Sequence, residues 1–540
     1  MKDEYDVVVA GSGAAGLTAA LAAARGGARV LVLEAGERWG GTSGISAGAV
    51  WVPGNHRATA DDVPDSVDDA LAYCSRHAPG RDPALVESFV GAAPRMARFV
   101  EEHTPIAFTS MRYPDTFAET PGGRAAGRHI EVAPLVVGEI GPWHELVWPL
   151  PYPSVLTNDE VFGNGVHGGG DLPYALLQQR MEADEVTMGL GLVVGLLHGC
   201  RAAGVDLVKE ARVVELVGGG AGPVTGVVAV VGGERREIVA ARGVVLANGG
   251  YEADPGLAAR QLGFPAPRPL APPVNRGDAV RLAAGAGAEL AHLGESWCWP
   301  AVRVPGETWE SAPDIERPHM VVGERTMPHV LWVNATGRRF VNEAAHNCAL
   351  ALAETDPATH QPRNWPAWAV GDAQFRARYS VVGTAPGKPL PDWIVTADTL
   401  AELGERLGID GKALEETAAR FNTGVRAGAD PEFGRGDSVY DRYTGDPRAP
   451  HPTLGTVEEP PFFAVPLDRG TIATKGGART DGQARVLRWD GGPVGGLFAA
   501  GTAAAALFGP GAIANGMHLS FAMTWGWLAG TTAAKAPGDD

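Results

Sequence analysis

Residues 5–10 read YDVVVA and residues 11–16 read GSGAAG. The first run is apolar and β-branched, as a strand buried on both faces requires. The second places glycines at 11, 13 and 16. An alanine-rich helix follows from Leu17 to Ala24, then a second apolar run from Val30 to Leu33 that ends on Glu34. Strand, glycine turn, helix, strand and acid in this order form a βαβ dinucleotide signature. Gly11 permits the tight turn out of the strand. Gly13 lets the backbone approach a pyrophosphate, and Gly16 lets the helix pack against the sheet. The helix N-terminus offers free N–H groups and partial positive charge to phosphates. Glu34 is placed to accept hydrogen bonds from ribose hydroxyls.

The chain around this unit has 540 residues, enough for two domains or more. Hydrophobic residues make up 45% and charged residues 20%, which predicts packed cores rather than disorder. The net charge of −18 argues against nucleic acid or an anionic membrane as the main partner. Cys74, Cys200, Cys298 and Cys348 are scattered, with no C-x-x-C pair. Free thiols in a reducing cytoplasm are expected, and no metal site. A charged lead, Met1 to Glu4, runs straight into the first strand, so no signal peptide is expected. The apolar stretches at 186–197 and 497–528 are broken by glycines and do not read as membrane spans.

Further along, residues 39–55 form a loop of small residues with almost no charge. Helices are expected over 68–77, 82–103, 171–181 and 186–203. A glycine-rich loop at 163–170 carries His167. Strands follow at 205–208, 211–217, 224–231 and 236–239, with the glycines of 218–223 in a hairpin turn. Residues 244–250, VVLANGG, read as another buried strand. Residues 265–273 look like a proline-rich linker, and 440–452 like a return linker. Between them lies a tryptophan-rich stretch with Trp297, Trp299, Trp332, Trp365, Trp368 and Trp393. These rings either pack a core or wall a pocket for a flat apolar molecule. The tail regains the first texture, with no Asp, Glu, Lys or Arg between Asp490 and Lys535. The expected division is a nucleotide-binding domain over 1–290 and 453–540, with an inserted substrate or cap domain over 291–452.

Ordered motifs over nearly the whole chain carry a resemblance. They are GSGAAG at 11, GGTSGISAGAVWVPGN at 40, VVLANGG at 244, NRGD at 275, GRRFVNE at 337, TKGG at 474 and LFAAG at 497. The set resembles the fumarate reductase/succinate dehydrogenase flavoprotein superfamily, and within it the 3-ketosteroid Δ1-dehydrogenase-like enzymes. The resemblance implies an α/β fold: a Rossmann-type FAD-binding domain of the glutathione-reductase-like kind with an inserted α+β cap domain. It implies FAD as cofactor. By it, Gly11, Gly13, Ala14, Ala15, Gly16, Glu34 and Ala35 hold the ADP half, joined by Val213, Ala247, Asn248, Gly249 and Asp278. Gly40, Gly41, Thr42, Ser43, Ala47 and Gly48 line the flavin and pyrophosphate, and Gly501 and Thr502 the ribityl chain. Gly516, Met517 and Leu519 start a helix aimed at the flavin. Relatives with covalent FAD carry a histidine in the loop at Gly40. Thr42-Ser43-Gly44 stands here, so non-covalent FAD is expected.

The resemblance also implies the chemistry: oxidoreduction of a CH–CH bond next to a carbonyl, either as desaturation or as ene-reduction. The partners are an apolar cyclic ketone, steroid-like or a specialised metabolite, and an unnamed electron acceptor or donor. A tailoring flavoenzyme of different chemistry and a non-catalytic flavoprotein are the alternatives. The chain departs from its relatives where they do chemistry. Ile513 and Ala473 stand near the positions of the dicarboxylate reductases' arginine and histidine, and Asn347 and Ala512 near those of the steroid enzymes' tyrosines. Three residues are therefore candidates for proton transfer. His518 is the one titratable group at the start of the flavin-facing helix. His346 follows the FVNE motif, and Tyr113 lies where relatives place a tyrosine. Asn515 is expected to cap the helix, Asn342 and Glu343 to brace the cap, and Lys475 to be structural.

Overall fold

The computed structural model describes residues 1–60, 65–137, 147–148, 154–163, 172–220, 222–263, 265–310 and 312–535. The 163–170 loop with His167 lies outside the described residues, apart from Gly163. The first sheet starts with β1 (Glu4–Ala10), whose Val7, Val8 and Val9 are fully buried. α1 (Ala14–Arg25) and β2 (Val30–Leu33) follow. After a stretch that holds the helices Val67–His77 and Pro83–His103 come α2 (Met188–Ala202) and β3 (Asp206–Val208), then three strands in antiparallel sequence: β4 (Ala211–Gly218), β5 (Val224–Val231) and β6 (Glu234–Leu246).

β6 is one strand where the sequence suggested two, at 236–239 and from 244. It pairs antiparallel with β5 over its first half and parallel with β1 over its second half. The extended backbone continues through Gly243, so no turn separates the halves.

A second sheet holds β7 (Ser296–Val302), β8 (Val330–Asn334) and β9 (Ala367–Gly371). The stretch expected as a return linker contains a short helix, α3 (Val439–Thr444), capped by the Ser438 side chain. β10 (Phe462–Thr474) then runs through the middle of the second sheet, hydrogen-bonded to β7 and β9. The sequence-based division set β10 with the nucleotide-binding part. The stretch expected as a linker at 265–273 also contributes: Arg268–Pro269 pairs with β10.

β11 (Pro493–Ala499) returns to the first sheet and pairs parallel with β6. The order there is an edge strand at Arg485–Leu487, then β11, β6, β1, β2 and β3. α4 (Met517–Ala533) closes the fold against α1. Small residues set that contact. A Cβ on Gly526 would lie 2.3 Å from the Ala15 carbonyl oxygen, and one on Gly530 2.1 Å from that of Ala19. The two backbones touch, which lays the first half of α1 against the second half of α4. Among the described residues no helix is long and apolar enough to cross a membrane.

Candidate active site

Both helix starts open on one cleft above the carboxyl ends of β1, β2 and β6, where ligands of open parallel sheets bind. The cleft spans about 770 Å³, counting its open mouth. Gly11, Gly13, Ala14 and Ala15 line it at the start of α1. Glu34 and Ala35 line it after β2, and Ala247, Asn248 and Gly249 after β6. Gly41, Thr42 and Ser43 come from the small-residue loop, Val213 and Asp278 stand at one end, and Gly501, Thr502 and His518 at the other.

The glycines of the fingerprint divide their work as their contacts require. Gly11 has φ +99°, and a Cβ there would lie 2.4 Å from the Ala247 carbonyl oxygen. A Cβ on Gly16 would lie 2.0 Å from the Gly11 carbonyl oxygen, so Gly16 packs helix on turn and is not on the cleft wall. At Gly13 the nearest atom to an added Cβ is the Ser43 hydroxyl, 3.5 Å away. That position faces open space, as approach to a phosphate demands.

Glu34 is buried. It accepts the Ser12 N–H at 3.0 Å, the Ser12 hydroxyl at 2.5 Å and the Gly36 N–H at 2.8 Å. Burial pushes its carboxyl up and these donors pull it back. Ser43 ties the small-residue loop to α1 by accepting the Ala14 N–H at 3.0 Å. Asn275 donates to Thr42 Oγ1 at 3.0 Å and to the buried Glu252 at 2.7 Å. Asp278 pairs with Arg212 at the far end. Asn248 Oδ1 is buried on the cleft with no protein partner. An orphaned acceptor facing such a cleft fits a ligand that donates hydrogen bonds.

Several residues expected at the cofactor lie behind the wall. Gly40 packs on Val193 of α2 and Gly48 on the Met188 backbone at the start of α2. Ala47 accepts from Asn158 through its carbonyl. Gly516, Met517 and Leu519 build the start of α4, with the Gly516 Cα close to the Ala49 carbonyl. Asn515 does not cap α4: Gly516 occupies the cap position, and Asn515 Oδ1 accepts the Gly516 N–H at 3.0 Å.

The uncharged segment before α4 is held from three sides. Lys475 Nζ donates to the carbonyls of Gly509, Pro510 and Gly511 at 2.5, 3.0 and 2.9 Å. Burial pulls its ammonium down to about 7. Three carbonyls nevertheless match the three donors of the charged form. Asn347 exchanges two hydrogen bonds with the Ala512 backbone, at 2.7 and 2.8 Å. Tyr73 donates to the Ile513 carbonyl at 2.5 Å. Ile513 is itself buried, so no cation stands at that position.

Of the proton-transfer candidates, His518 lines the cleft. Its ring stacks on Trp297 at 5.7 Å, and burial together with Lys475 holds it down to about 4. His346 and Tyr113 are buried off the cleft wall. His346 is held to about 3 by burial, Arg325, His129 and Lys475. Both belong to a cluster the sequence did not foretell, with Tyr440, Arg325 and His129. The tryptophans divide: Trp297 and Trp299 touch the histidines, whereas Trp332 of β8 is core. Glu343 is fully buried and accepts from Arg339 at 2.8 Å and the Trp332 N–H at 3.0 Å, the bracing role read from the sequence.

The chain matches the FAD binding domain family over residues 6–519. It belongs to that family. This flavoprotein is 36% identical over 556 residues to 4-oxocyclohexanecarboxylate 2-dehydrogenase of Sinomonas cyclohexanicum, covering 100% of this chain and 94% of the relative. It is 34% identical over 562 residues to 3-oxosteroid 1-dehydrogenase of Mycolicibacterium smegmatis, covering 97% and 96%. The crystal structure of 3-ketosteroid delta1-dehydrogenase from Sterolibacterium denitrificans, in complex with 1,4-androstadiene-3,17-dione, superposes with a TM-score of 0.90 at 29% identity, covering 99% and 100%. The family's FAD fits the cleft on its own terms, through the open approach at Gly13, the α1 N-terminus and the orphaned Asn248 oxygen.

Proposed function

We propose that this flavoprotein is an FAD-dependent dehydrogenase that removes hydrogen across a CH–CH bond next to the carbonyl of an apolar ring ketone. The carrying observation is the wall that closes the cleft. Residues 491–534 bear no Asp, Glu, Lys or Arg, and Ile513 fills the place where a dicarboxylate enzyme needs a cation. An uncharged wall suits a ring ketone and leaves a dicarboxylate unpaired. The full-length likeness to enzymes named for oxocyclohexane and oxosteroid substrates supports the same reading.

FAD, when bound, supplies the two-electron acceptor. The protein's share is to hold it and to handle the proton. Gly13, Ala14 and Ala15 present α1 N–H groups to its phosphates, Glu34 receives ribose hydroxyls, and Asn248 takes a hydrogen bond. No histidine lies in Gly41–Gly44, which supports non-covalent binding. His518, kept neutral, is a hydrogen-bonding group facing the cleft. His346 and Tyr113 belong to the proton-handling side. The sheet membership of β10 supports a Rossmann-type first part of the glutathione-reductase-like kind, covered by a cap built on the second sheet. The cysteines are unpaired, which fits a reducing cytoplasm.

The test is incubation of the FAD-loaded enzyme with 4-oxocyclohexanecarboxylate and with a 3-oxosteroid, plus an artificial electron acceptor. Loss of two hydrogens from either ketone, read by mass spectrometry, is expected. Absence of product from both, with FAD bound, refutes the assignment.

A further inference from the structure

The relatives' tyrosine position after FVNE is Asn347 here, and Asn347 is fully engaged with the Ala512 backbone. The proposed reaction still needs a group that takes a proton. Beside Asn347, His346 Nδ1 lies 2.6 Å from the Tyr440 hydroxyl. The Tyr440 ring stands edge-on to His346 at 5.2 Å and to Tyr113 at 6.0 Å. Arg325 is buried with its guanidinium over Trp299 at 4.6 Å and over the Tyr440 ring at 6.0 Å. Its Nη1 donates to the carbonyls of Ala344 and Ala345, and its Nε has no partner. No carboxylate pairs with it among the described residues. A buried guanidinium without a counterion favours an anion beside it.

Burial pushes the Tyr440 hydroxyl up, with a smaller push from Cys348, and its polar neighbours pull it back. Arg325 and the Tyr113 hydroxyl both favour its ionised form against burial, while burial and Tyr440 itself keep Tyr113 protonated. His346, held neutral, can present Nδ1–H to the same oxygen. The oxygen's position is fixed through α3. The next residue, Asp441, accepts from Asn342 of the FVNE turn at 2.8 Å and from the Gly436 N–H at 3.0 Å. The cluster also adjoins the cleft. Tyr113 and Tyr440 pack on Ala49, whose carbonyl touches Gly516 at the start of α4. His346 stands edge-on to Trp299 at 5.6 Å, and Trp297, two residues earlier, stacks on His518 of the cleft wall.

We propose that Tyr440 is the acid/base residue that takes the proton from the carbon next to the substrate carbonyl, with Tyr113, His346 and Arg325 as positioning residues that hold its oxygen as an acceptor. This rests on the ring-ketone reading above. The step is redox-neutral. The α C–H bond breaks, the proton joins the Tyr440 oxygen in its ionised form, and the C–H electron pair becomes the C=C bond as the carbonyl π pair moves onto oxygen to give an enolate. Return of a solvent-derived proton regenerates the ketone.

Because the step needs no oxidation, exchange in D2O reads it apart from turnover. The FAD-loaded enzyme is mixed anaerobically with 4-oxocyclohexanecarboxylate or a 3-oxosteroid, and α-deuterium incorporation is followed by NMR while flavin absorbance is recorded. Wild type is expected to exchange, and Tyr440→Phe to exchange about a hundredfold more slowly with full FAD content. Tyr113→Phe, which removes one donor, is expected to slow exchange by about tenfold. Exchange by Tyr440→Phe within about threefold of wild type overturns the assignment and leaves the ring-ketone reading intact. A wild type that neither exchanges nor bleaches with either ketone overturns both. If Tyr440→Phe fails to fold, 3-fluorotyrosine at position 440 keeps the ring and changes the oxygen's basicity. An exchange rate shifted severalfold supports the assignment, and an unshifted rate overturns it.

Discussion

The cofactor cleft and the Tyr440 cluster both adjoin the start of α4, and they are built from different material. The cleft is largely backbone: turns after β1, β2 and β6, the N–H groups of α1, and small residues that stay out of the way. The cluster is side chain: Tyr113, Arg325, His346 and Tyr440, drawn from four distant segments and almost fully buried. Binding a large, fixed cofactor needs space and oriented amides. Moving a proton needs a few polar atoms in a dry place, where their mutual influence is strongest.

If the cleft is a backbone device, its glycines should separate folding from binding. Gly13→Val adds bulk where the fold has room and the phosphates need it. FAD affinity should fall about a hundredfold or more while the apoprotein keeps its melting temperature. Gly16→Ala should do the reverse, costing about 3 kcal/mol of stability because its Cβ meets the Gly11 carbonyl. Denaturant melts with FAD titrations check both. Equal effects of the two variants would break the division.

The segment between the regions depends on Lys475. Lys475→Met leaves three carbonyls without their donor and should lower stability by about 3 kcal/mol in urea unfolding. A loss below about 1 kcal/mol would show that the loop holds itself.

The smaller effect is acid sensitivity of the side-chain region. His129 and His346 are held to about 3, chiefly by burial. In the unfolded chain each takes up a proton near pH 6.5. The unfolded state therefore binds more protons between about pH 3 and 6.5, so stability rises with pH in that window and is lost as the pH falls through it. By pH 5 each histidine should cost about 2 kcal/mol relative to pH 7. His129→Gln should flatten the measured slope of stability against pH. An unchanged slope would place the acid sensitivity elsewhere.

The same contrast explains what the sequence made legible. The fingerprint at 11–16, the acid at 34 and the strand at 244 announce the cleft because each element's function follows from local spacing. The hairpin at 218–223 and the bracing by Glu343 were legible for the same reason. Tyr440 was not: it lies in a stretch whose prolines and charges read as a linker, and only the packing of α3 against the FVNE turn brings it to His346. The resemblance sets Gly40 and Gly48 along the flavin and pyrophosphate, and in the structure they also pack on Val193 and Met188, since glycine serves close packing as readily as ligand approach. β10 follows the expected boundary at 452 and joins the second sheet, and a buried apolar strand does not tell from its sequence which of two sheets it joins.

The central claim is that this chain couples bound FAD to a ring ketone. Anaerobic mixing of the FAD-loaded enzyme with excess 4-oxocyclohexanecarboxylate or a 3-oxosteroid, followed by flavin absorbance, tests it most directly. The account predicts bleaching of the oxidised flavin band with at least one ketone and its recovery on addition of the corresponding enone. A flavin that stays oxidised with both ketones, and once reduced chemically is not reoxidised by either enone, would contradict it.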